Sequence, residues 1–302
     1  MSGPSLLLAL TYLSLLVFAV GVVMRSIKYA RAPMHLRWEL YPVPHEKGKG
    51  DYGGSYFEEL NWWSKQRETT LVGEIGAMLE EMLLIRSLWH RNRSQWYASF
   101  PFHGGIYLLF GFTLLLGLGA VAELAGAGKA AWFGWLESFT TLVGAIGLVS
   151  GTFGTLSLLW RRFSDQKLKA SSSLSDYVNL IVILAVFLTA AFAWLSVDPS
   201  FSQLRGFLRS ALTLSPAPQV APAIVTEIVV AAIFLIYLPF THMTHFVAKY
   251  FTYHQVRWDD TPNLNDPQML ARIQANLSRP VGWSAPHIQS GKTWAEAATE
   301  VK

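Results

Sequence analysis

Residues 96–122, WYASFPFHGGIYLLFGFTLLLGLGAVA, contain no Asp, Glu, Lys or Arg. A helix needs about 20 apolar residues to cross the hydrocarbon core of a membrane, and this stretch is longer than that. Four further stretches meet the same criterion: Pro4–Met24, Ser138–Trp160, Tyr177–Val197 and Pro222–His245. The sequence therefore predicts an all-α integral membrane protein, a bundle of five transmembrane helices.

The composition agrees with this prediction. Of the 302 residues, 52% are hydrophobic and 15% charged, whereas soluble chains carry about 25% charged residues. Cysteine is absent, which excludes disulfides, iron–sulfur clusters, thiolate zinc sites and covalent c-type haem in this chain. Any redox or metal chemistry must therefore rest on its eight histidines and its carboxylates.

The basic residues predict an orientation. Residues 25–101, 161–176 and 246–302 hold 11, 4 and 6 of the 24 Lys and Arg residues. Basic loops stay in the cytoplasm, so we expect the N-terminus outside and a multi-pass protein of the bacterial inner membrane. The net charge of +4 follows from this topology, and no nucleic-acid partner is predicted.

Two of the cytoplasmic segments are too long for simple connections. In residues 25–101, an amphipathic helix is predicted at about 69–93, either along the membrane interface or under a partner, or else packed on the bundle. Residues 249–302 are polar and proline-rich, and predict an arm on another subunit or a disordered end. The predicted division is a membrane domain, 1–248, and this C-terminal arm.

Three histidines stand at matching depth in antiparallel spans: His103 near the start of the second, and His242 and His245 at the end of the fifth. Two imidazoles on facing helices can supply both axial ligands of a b-type haem, and Gly104 and Gly105 would let the macrocycle approach the backbone. The alternative is that all three are interfacial histidines. Only one ligand is needed from the fifth span, so the other histidine could bind a propionate or line a pocket.

Glu227 is the one acidic residue inside a predicted span. Placing an ionisable group within the membrane costs free energy, and such groups usually have a function. Glu227 is therefore a candidate for proton exchange. It precedes His245 by 18 residues, or five helical turns, which predicts the same helix face about 27 Å away. The alternative is a structural carboxylate bonded to Arg205 or Arg209.

The motifs Leu238-Pro-Phe-Thr-His-Met-Thr-His245 and Ala98-Ser-Phe-Pro-Phe-His103 resemble those of the respiratory nitrate reductase gamma subunit-like cytochrome b family. The resemblance covers roughly residues 96–250. It implies a five-span cytochrome b domain in which His103 and His245 bind the haem iron.

The first cytoplasmic segment is similar to one branch of this family. The stretches 35–46 and 52–59, with Trp62-Trp63, resemble membrane subunits found with heterodisulfide-reductase-type (HdrD-like) iron–sulfur proteins. This resemblance implies menaquinone as the substrate, and a cytoplasmic iron–sulfur subunit, with possible further redox subunits, as the partner.

The chain departs from the family at two positions. Thr113, ten residues after His103, and Glu227 stand where the nitrate reductase subunit has the histidines of a second, outer haem. We therefore expect one haem b, in the cytoplasmic half of the membrane.

The predicted function is a relay of single electrons between menaquinol and the iron–sulfur partner, with no turnover by this chain alone. Glu227 and His242 are the candidate catalytic groups for proton exchange with the quinone, and Arg91 and Arg93 are candidate propionate partners. One alternative is a haem-free membrane anchor for a peripheral redox complex. Another is a secondary transporter coupled to protons through Glu227, although five spans lack the inverted repeats usual in transporters.

Overall fold

The computed structural model describes residues 3–31, 46–48, 56, 59–66, 68–252 and 267–300. Within these residues the secondary structure is helical, with isolated β-bridges between short segments. The helices are α1 (Gly3–Arg31), α2 (Leu71–Leu84), α3 (Arg86–Arg91), α4 (Arg93–Leu124), α5 (Ala131–Ser164), α6 (Gln166–Ser171), α7 (Leu174–Ser196), α8 (Ser202–Thr213), α9 (Pro222–Tyr237), α10 (His245–Thr252), α11 (Pro267–Leu277) and α12 (Trp294–Thr299). Four 3₁₀ turns occupy Trp62–Ser64, Ala127–Lys129, Leu238–Phe240 and His242–Thr244.

Five of these helices are long and apolar enough to cross a membrane: α1, α4, α5, α7, and α9 together with its following turn to Phe240. The prediction of an all-α protein with five transmembrane spans is therefore confirmed. The helices α1, α4 and α5 extend at both ends beyond the apolar stretches that predicted them. For example, α4 begins at Arg93, where the Asn92 side chain accepts a hydrogen bond from the Gln95 amide at 3.1 Å and so satisfies a free N–H of the first turn.

The chain divides into two compact units. The first comprises residues 1–20 and 79–243 and contains most of the membrane bundle, and the second comprises residues 21–78 and 244–302. In the first unit α4 packs most extensively on α5, α5 on α7, and α7 on α9. Side chains buried between these helices form its main core, including Phe102, Leu116, Leu148, Ile183 and Phe187.

The outward faces of the bundle helices are apolar. Along α5 the exposed side chains at helical spacing are large and hydrophobic: Phe139, Leu142, Ile146, Val149, Phe153, Leu156 and Trp160. An apolar face of this extent would promote aggregation in water. It is the kind of face that a membrane helix turns toward lipid.

Small residues bring α4 and α5 together. Gly144, Gly147, Gly151 and Gly154 lie on the buried face of α5, and a Cβ on Gly105 of α4 would stand 2.3 Å from the Gly151 Cα. Helix association in lipid depends on such close packing because there is no hydrophobic driving force between the helices. Gly105 is therefore explained by its contact with α5.

Replacing Gly105 with alanine should loosen this contact. A methyl group has no room against the α5 backbone, so we expect Gly105→Ala to lower the free energy of unfolding by about 1–3 kcal/mol. Gly111→Ala, on the same helix but with nothing within 4 Å of the added Cβ, should leave stability unchanged or raise it by up to about 1 kcal/mol. Thermal unfolding of the detergent-solubilised variants measures both. Equal effects would show that helix propensity, and not close packing, governs these positions.

The fifth span does not continue as one helix to His245. The α-helix ends at Tyr237, a 3₁₀ turn containing Pro239 follows, and Thr241 has an extended backbone with φ −113° and ψ 172°. Proline cannot donate the helical hydrogen bond and its ring crowds the preceding turn. The predicted placement of Glu227 and His245 on one helix face, five turns apart, is therefore wrong.

The amphipathic helix predicted at about 69–93 forms as two helices. α2 ends at Leu84 and α3 begins at Arg86, and between them Ile85 adopts a left-handed backbone with φ 51°, which is unusual for a β-branched residue. Neither helix has a buried side chain within the described structure. At the end of α2, the Met82 carbonyl accepts a hydrogen bond from the Tyr107 hydroxyl of α4 at 2.8 Å, and the Leu84 carbonyl accepts one from the Trp96 indole at 2.7 Å. This end of the helix therefore contacts the bundle, while its apolar side chains remain exposed.

The C-terminal arm is partly folded in its described residues. Within 267–300, α11 and α12 are joined by a loop in which the Val281 amide donates to the Lys292 carbonyl at 2.7 Å, and Val281 is buried. A capping box starts α12, where the backbone N–H and the hydroxyl of Thr293 hold the pKa of Glu296 below its usual value. Local capping thus orders a sequence that has no extended hydrophobic pattern.

Candidate functional site

His103 lies on α4 with a defined ring orientation. Its Nδ1 is 2.8 Å from the Ser99 carbonyl oxygen and 3.3 Å from the Ser99 hydroxyl. The carbonyl can only accept, so Nδ1 carries the proton and the Nε2 atom carries the lone pair. A second nitrogen bonded to a backbone carbonyl is the usual arrangement for a metal-binding imidazole.

The two glycines that follow His103 differ in their surroundings. Gly105 packs against α5, as described above, whereas a Cβ built on Gly104 would meet nothing within 4 Å. Open space beside His103 is what a flat macrocycle requires near its axial ligand. The His103 ring and the open space at Gly104 therefore fit an axial-ligand position of a haem.

His242 is half-exposed and belongs to a polar network in the first unit. The Asn179 side-chain oxygen accepts a 2.8 Å hydrogen bond from the Tyr237 hydroxyl, which turns the amide nitrogen toward His242 Nε2 at 3.0 Å. The same Nε2 atom is 3.3 Å from Asp176. His242 Nε2 can thus accept from Asn179 when unprotonated and donate to Asp176 when protonated.

His245 begins α10, in the second unit, and its side chain is exposed. Among the other histidines, His90 and His287 are also exposed, while His35, His45 and His254 lie outside the described residues. In the described part of the chain, no three His, Asp or Glu side chains converge as a metal-ion site would need. A haem requires only two axial ligands from the protein.

The candidate propionate partners, Arg91 and Arg93, are both exposed. The guanidinium of Arg93 lies over the Trp89 ring, 4.6 Å from its centroid, which is a cation–π contact.

Glu227 lines a cavity of about 300 Å³ in the first unit. The walls come from α1, α4, α5, α7, α8 and α9 and are almost entirely apolar, with Thr11, Ser14, Thr113 and Glu227 as the polar exceptions. Thr113 and Glu227, the two positions at which the sequence departs from the expected histidines, both line this cavity.

Glu227 is not paired with an arginine. Within the described residues, its carboxylate makes no hydrogen bond or ion pair, and its electrostatic neighbour is another carboxylate, Asp198. The side chain of Asp198 accepts from the Leu204 amide at 3.0 Å. The interpretation of Glu227 as the structural partner of Arg205 or Arg209 is therefore wrong.

The two arginines instead bind two other glutamates at the end of the bundle where α8 lies. Buried Arg205 donates to Glu123 on α4 at 2.7 Å and to Glu137 on α5, and Arg209 bonds Glu123 at 3.0 Å. This ion-pair cluster fastens the amphipathic α8 to two membrane helices. The sequence indicates charges near this end of the bundle, but it does not say which pairs form.

The family comparison is consistent with this arrangement of spans and histidines. The nitrate reductase gamma subunit family matches residues 86–259, which is more than half of the 302-residue chain and includes His103, Glu227, His242 and His245. No curated protein and no solved structure matches the chain. A five-span membrane protein whose sequence matches over this length belongs to the nitrate reductase gamma subunit family.

Proposed function

We propose that this protein is the b-type cytochrome membrane subunit of a respiratory redox complex. It carries electrons between the menaquinone pool and a cytoplasmic iron–sulfur partner through one haem b. Membership of the nitrate reductase gamma subunit family supports a membrane subunit of a redox complex. The haem ligands, the proton-exchange groups and the partner are assigned from individual residues.

The axial ligands of the haem are His103 and His245. The observation that carries this assignment is the hydrogen bond from His103 Nδ1 to the Ser99 carbonyl, which fixes the tautomer in which Nε2 is the unprotonated ring nitrogen. Gly104 offers open space beside it. When bound, the haem supplies a carrier of single electrons. The protein's part is to hold the orientation of the His103 ring.

Glu227 and His242 are the two candidate groups for proton exchange with the quinone, and one of them serves. Glu227 borders an apolar cavity, and His242 Nε2 has an acceptor in Asp176 and a donor in Asn179. A group with partners in both protonation states can take up and release a proton without a large rearrangement. The two side chains lie at different depths in the bundle. The side of the membrane on which protons are exchanged therefore depends on which of them reacts with the quinone.

The partner is a cytoplasmic HdrD-like iron–sulfur subunit, and the location is the bacterial inner membrane. The resemblance of residues 35–46, 52–59 and Trp62-Trp63 supports the partner, and the excess of Lys and Arg in three segments supports the location. The exposed apolar side chains of α2, including Leu71, Val72 and Leu83, provide a surface near the membrane for such a subunit or for lipid.

A spectroscopic experiment tests the proposed function. A short-chain menaquinol analogue is added to the purified protein, and the difference spectrum is compared with that produced by dithionite. We expect the quinol to produce the b-type spectrum. A haem that dithionite reduces and menaquinol does not would contradict quinol-linked transfer, and a protein without any haem absorption would be the haem-free anchor.

A further inference from the structure

The helix α2 has one apolar face and one acidic face. Successive residues of an α-helix are about 100° apart, which places the three glutamates, Glu74, Glu80 and Glu81, opposite the large apolar side chains. Six of these apolar side chains are exposed: Leu71, Val72, Ile75, Leu79, Met82 and Leu83. An apolar arc of this width normally faces a core or lipid, so the face requires an apolar cover.

The carboxyl end of α2 is bonded to the charge-free stretch of α4. The last carbonyls of a helix have no partner within the helix. Here the Leu84 carbonyl accepts from the Trp96 indole and the Met82 carbonyl from the Tyr107 hydroxyl. Both donors lie in residues 96–122, the stretch long and apolar enough to cross the hydrocarbon core. Bonding free carbonyls to side chains is what a helix end needs where lipid replaces water.

Three aromatic residues cluster where α3 leads into α4. The Trp89 and Trp96 ring centroids are 4.7 Å apart, and the Tyr97 ring lies 6.3 Å from the first and 5.6 Å from the second. Tyr97 is exposed. Trp and Tyr are enriched at membrane–water interfaces because their rings are apolar and their N–H or O–H groups polar. The cluster therefore marks the level of the lipid head groups on α4.

Two arginines carry positive charge to the same level. Arg91 and Arg93 are exposed, and the Arg93 guanidinium lies over the Trp89 ring, 4.6 Å from its centroid. Within the described residues, neither guanidinium forms an ion pair, whereas Arg86 pairs with Glu80. Guanidinium groups bind phosphate oxygens with two parallel hydrogen bonds, so both remain available to lipid phosphates.

We infer that α2 and α3 lie in the membrane boundary on the side where α4 begins, and that Arg91 and Arg93 bind the phosphates of anionic phospholipid. The apolar face of α2 rests on the acyl chains, and its glutamates face water. Lipid is favoured over a water-soluble partner because the end of α2 is bonded beside the apolar part of α4. In this arrangement the two arginines serve lipid phosphates and not haem propionates.

The immersion of α2 can be measured with spin labels, since the natural chain has no cysteine. Ile75→Cys, Leu79→Cys and Glu80→Cys are each labelled in the full-length protein, which is reconstituted in vesicles of phosphatidylcholine and phosphatidylglycerol. We expect the labels at 75 and 79 to be more accessible to oxygen than to a water-soluble nickel complex. The label at 80, on the acidic face, should show the reverse. Aqueous labels at all three positions would overturn the inference and leave the face to a protein, and three immersed labels would contradict a helix lying in the boundary.

The role of the arginines is tested by lipid selectivity in the same vesicles. The association of spin-labelled phosphatidylglycerol is compared with that of spin-labelled phosphatidylcholine. In the double variant Arg91→Gln, Arg93→Gln, we expect the preference for phosphatidylglycerol to fall about two- to fivefold. The matched control is Lys167→Gln, Lys169→Gln, which removes two exposed charges from α6 and should retain the preference. Equal losses in both double variants, or none in the arginine variant, would overturn the phosphate site, and neither readout depends on haem.

Discussion

His103→Ala and His245→Ala are each expected to abolish haem binding while the protein remains in the membrane. A bis-histidine haem loses half of its axial coordination with either change. The ligand on α4 is also pre-oriented by the Ser99 carbonyl, 2.8 Å from Nδ1. The haem content of purified protein, measured from the reduced-minus-oxidised spectrum, should fall nearly to zero in both variants.

His90→Ala is the matched control for this prediction. His90 is an exposed histidine of α3 in the same membrane unit, and its loss should leave the haem content at the wild-type level. Full haem in His103→Ala or in His245→Ala would remove that residue from the ligand set. Equal loss in His90→Ala would show that the spectrum follows general instability.

Arg205→Ala is expected to be the most damaging single change at the end of the bundle that carries α8. The Arg205 side chain is 6% exposed and bonds both Glu123 and Glu137. Removing one partner from a buried ionic cluster leaves the remaining charges uncompensated, at a cost of about 3–5 kcal/mol. We expect a large fall in the thermal unfolding temperature of the solubilised protein.

Two further variants distinguish burial from charge in this cluster. Arg209 bonds the same Glu123 but is 48% exposed, so Arg209→Ala should cost no more than about 1 kcal/mol. The triple variant Arg205→Ala, Glu123→Gln, Glu137→Gln should recover part of the lost stability, because no unpaired charge remains. Similar losses of stability for Arg205→Ala and Arg209→Ala would contradict the prediction that the buried arginine contributes more than the exposed one.

The five spans could be predicted from the sequence because length and apolarity alone decide whether a helix can cross a membrane. The irregular points within the helices could not. Ile85 takes a left-handed backbone although isoleucine disfavours it. The helix ends at Tyr237, before Pro239, and the proline alone does not show whether the helix bends or stops there. The C-terminal helices were missed because the proline content outweighed the capping pair Thr293 and Glu296.

The candidate residues could be chosen from the sequence, but not their partners. Depth and residue type single out His103 and Glu227. The contacts that give them a role depend on neighbouring helices: Thr113 and Glu227 meet at one cavity only because α4 and α9 both border it. Likewise, Asn179 connects Tyr237 with His242. An asparagine within an otherwise apolar span was the signal in the sequence that could have indicated this network.

The number of b-type haems bound per polypeptide decides whether this protein is a cytochrome with a single haem. Pyridine haemochrome analysis of the purified protein, with the polypeptide quantified by amino-acid analysis, should give one. Two haems would contradict the proposal that a single haem is bound, and none would contradict the proposed haem ligands His103 and His245.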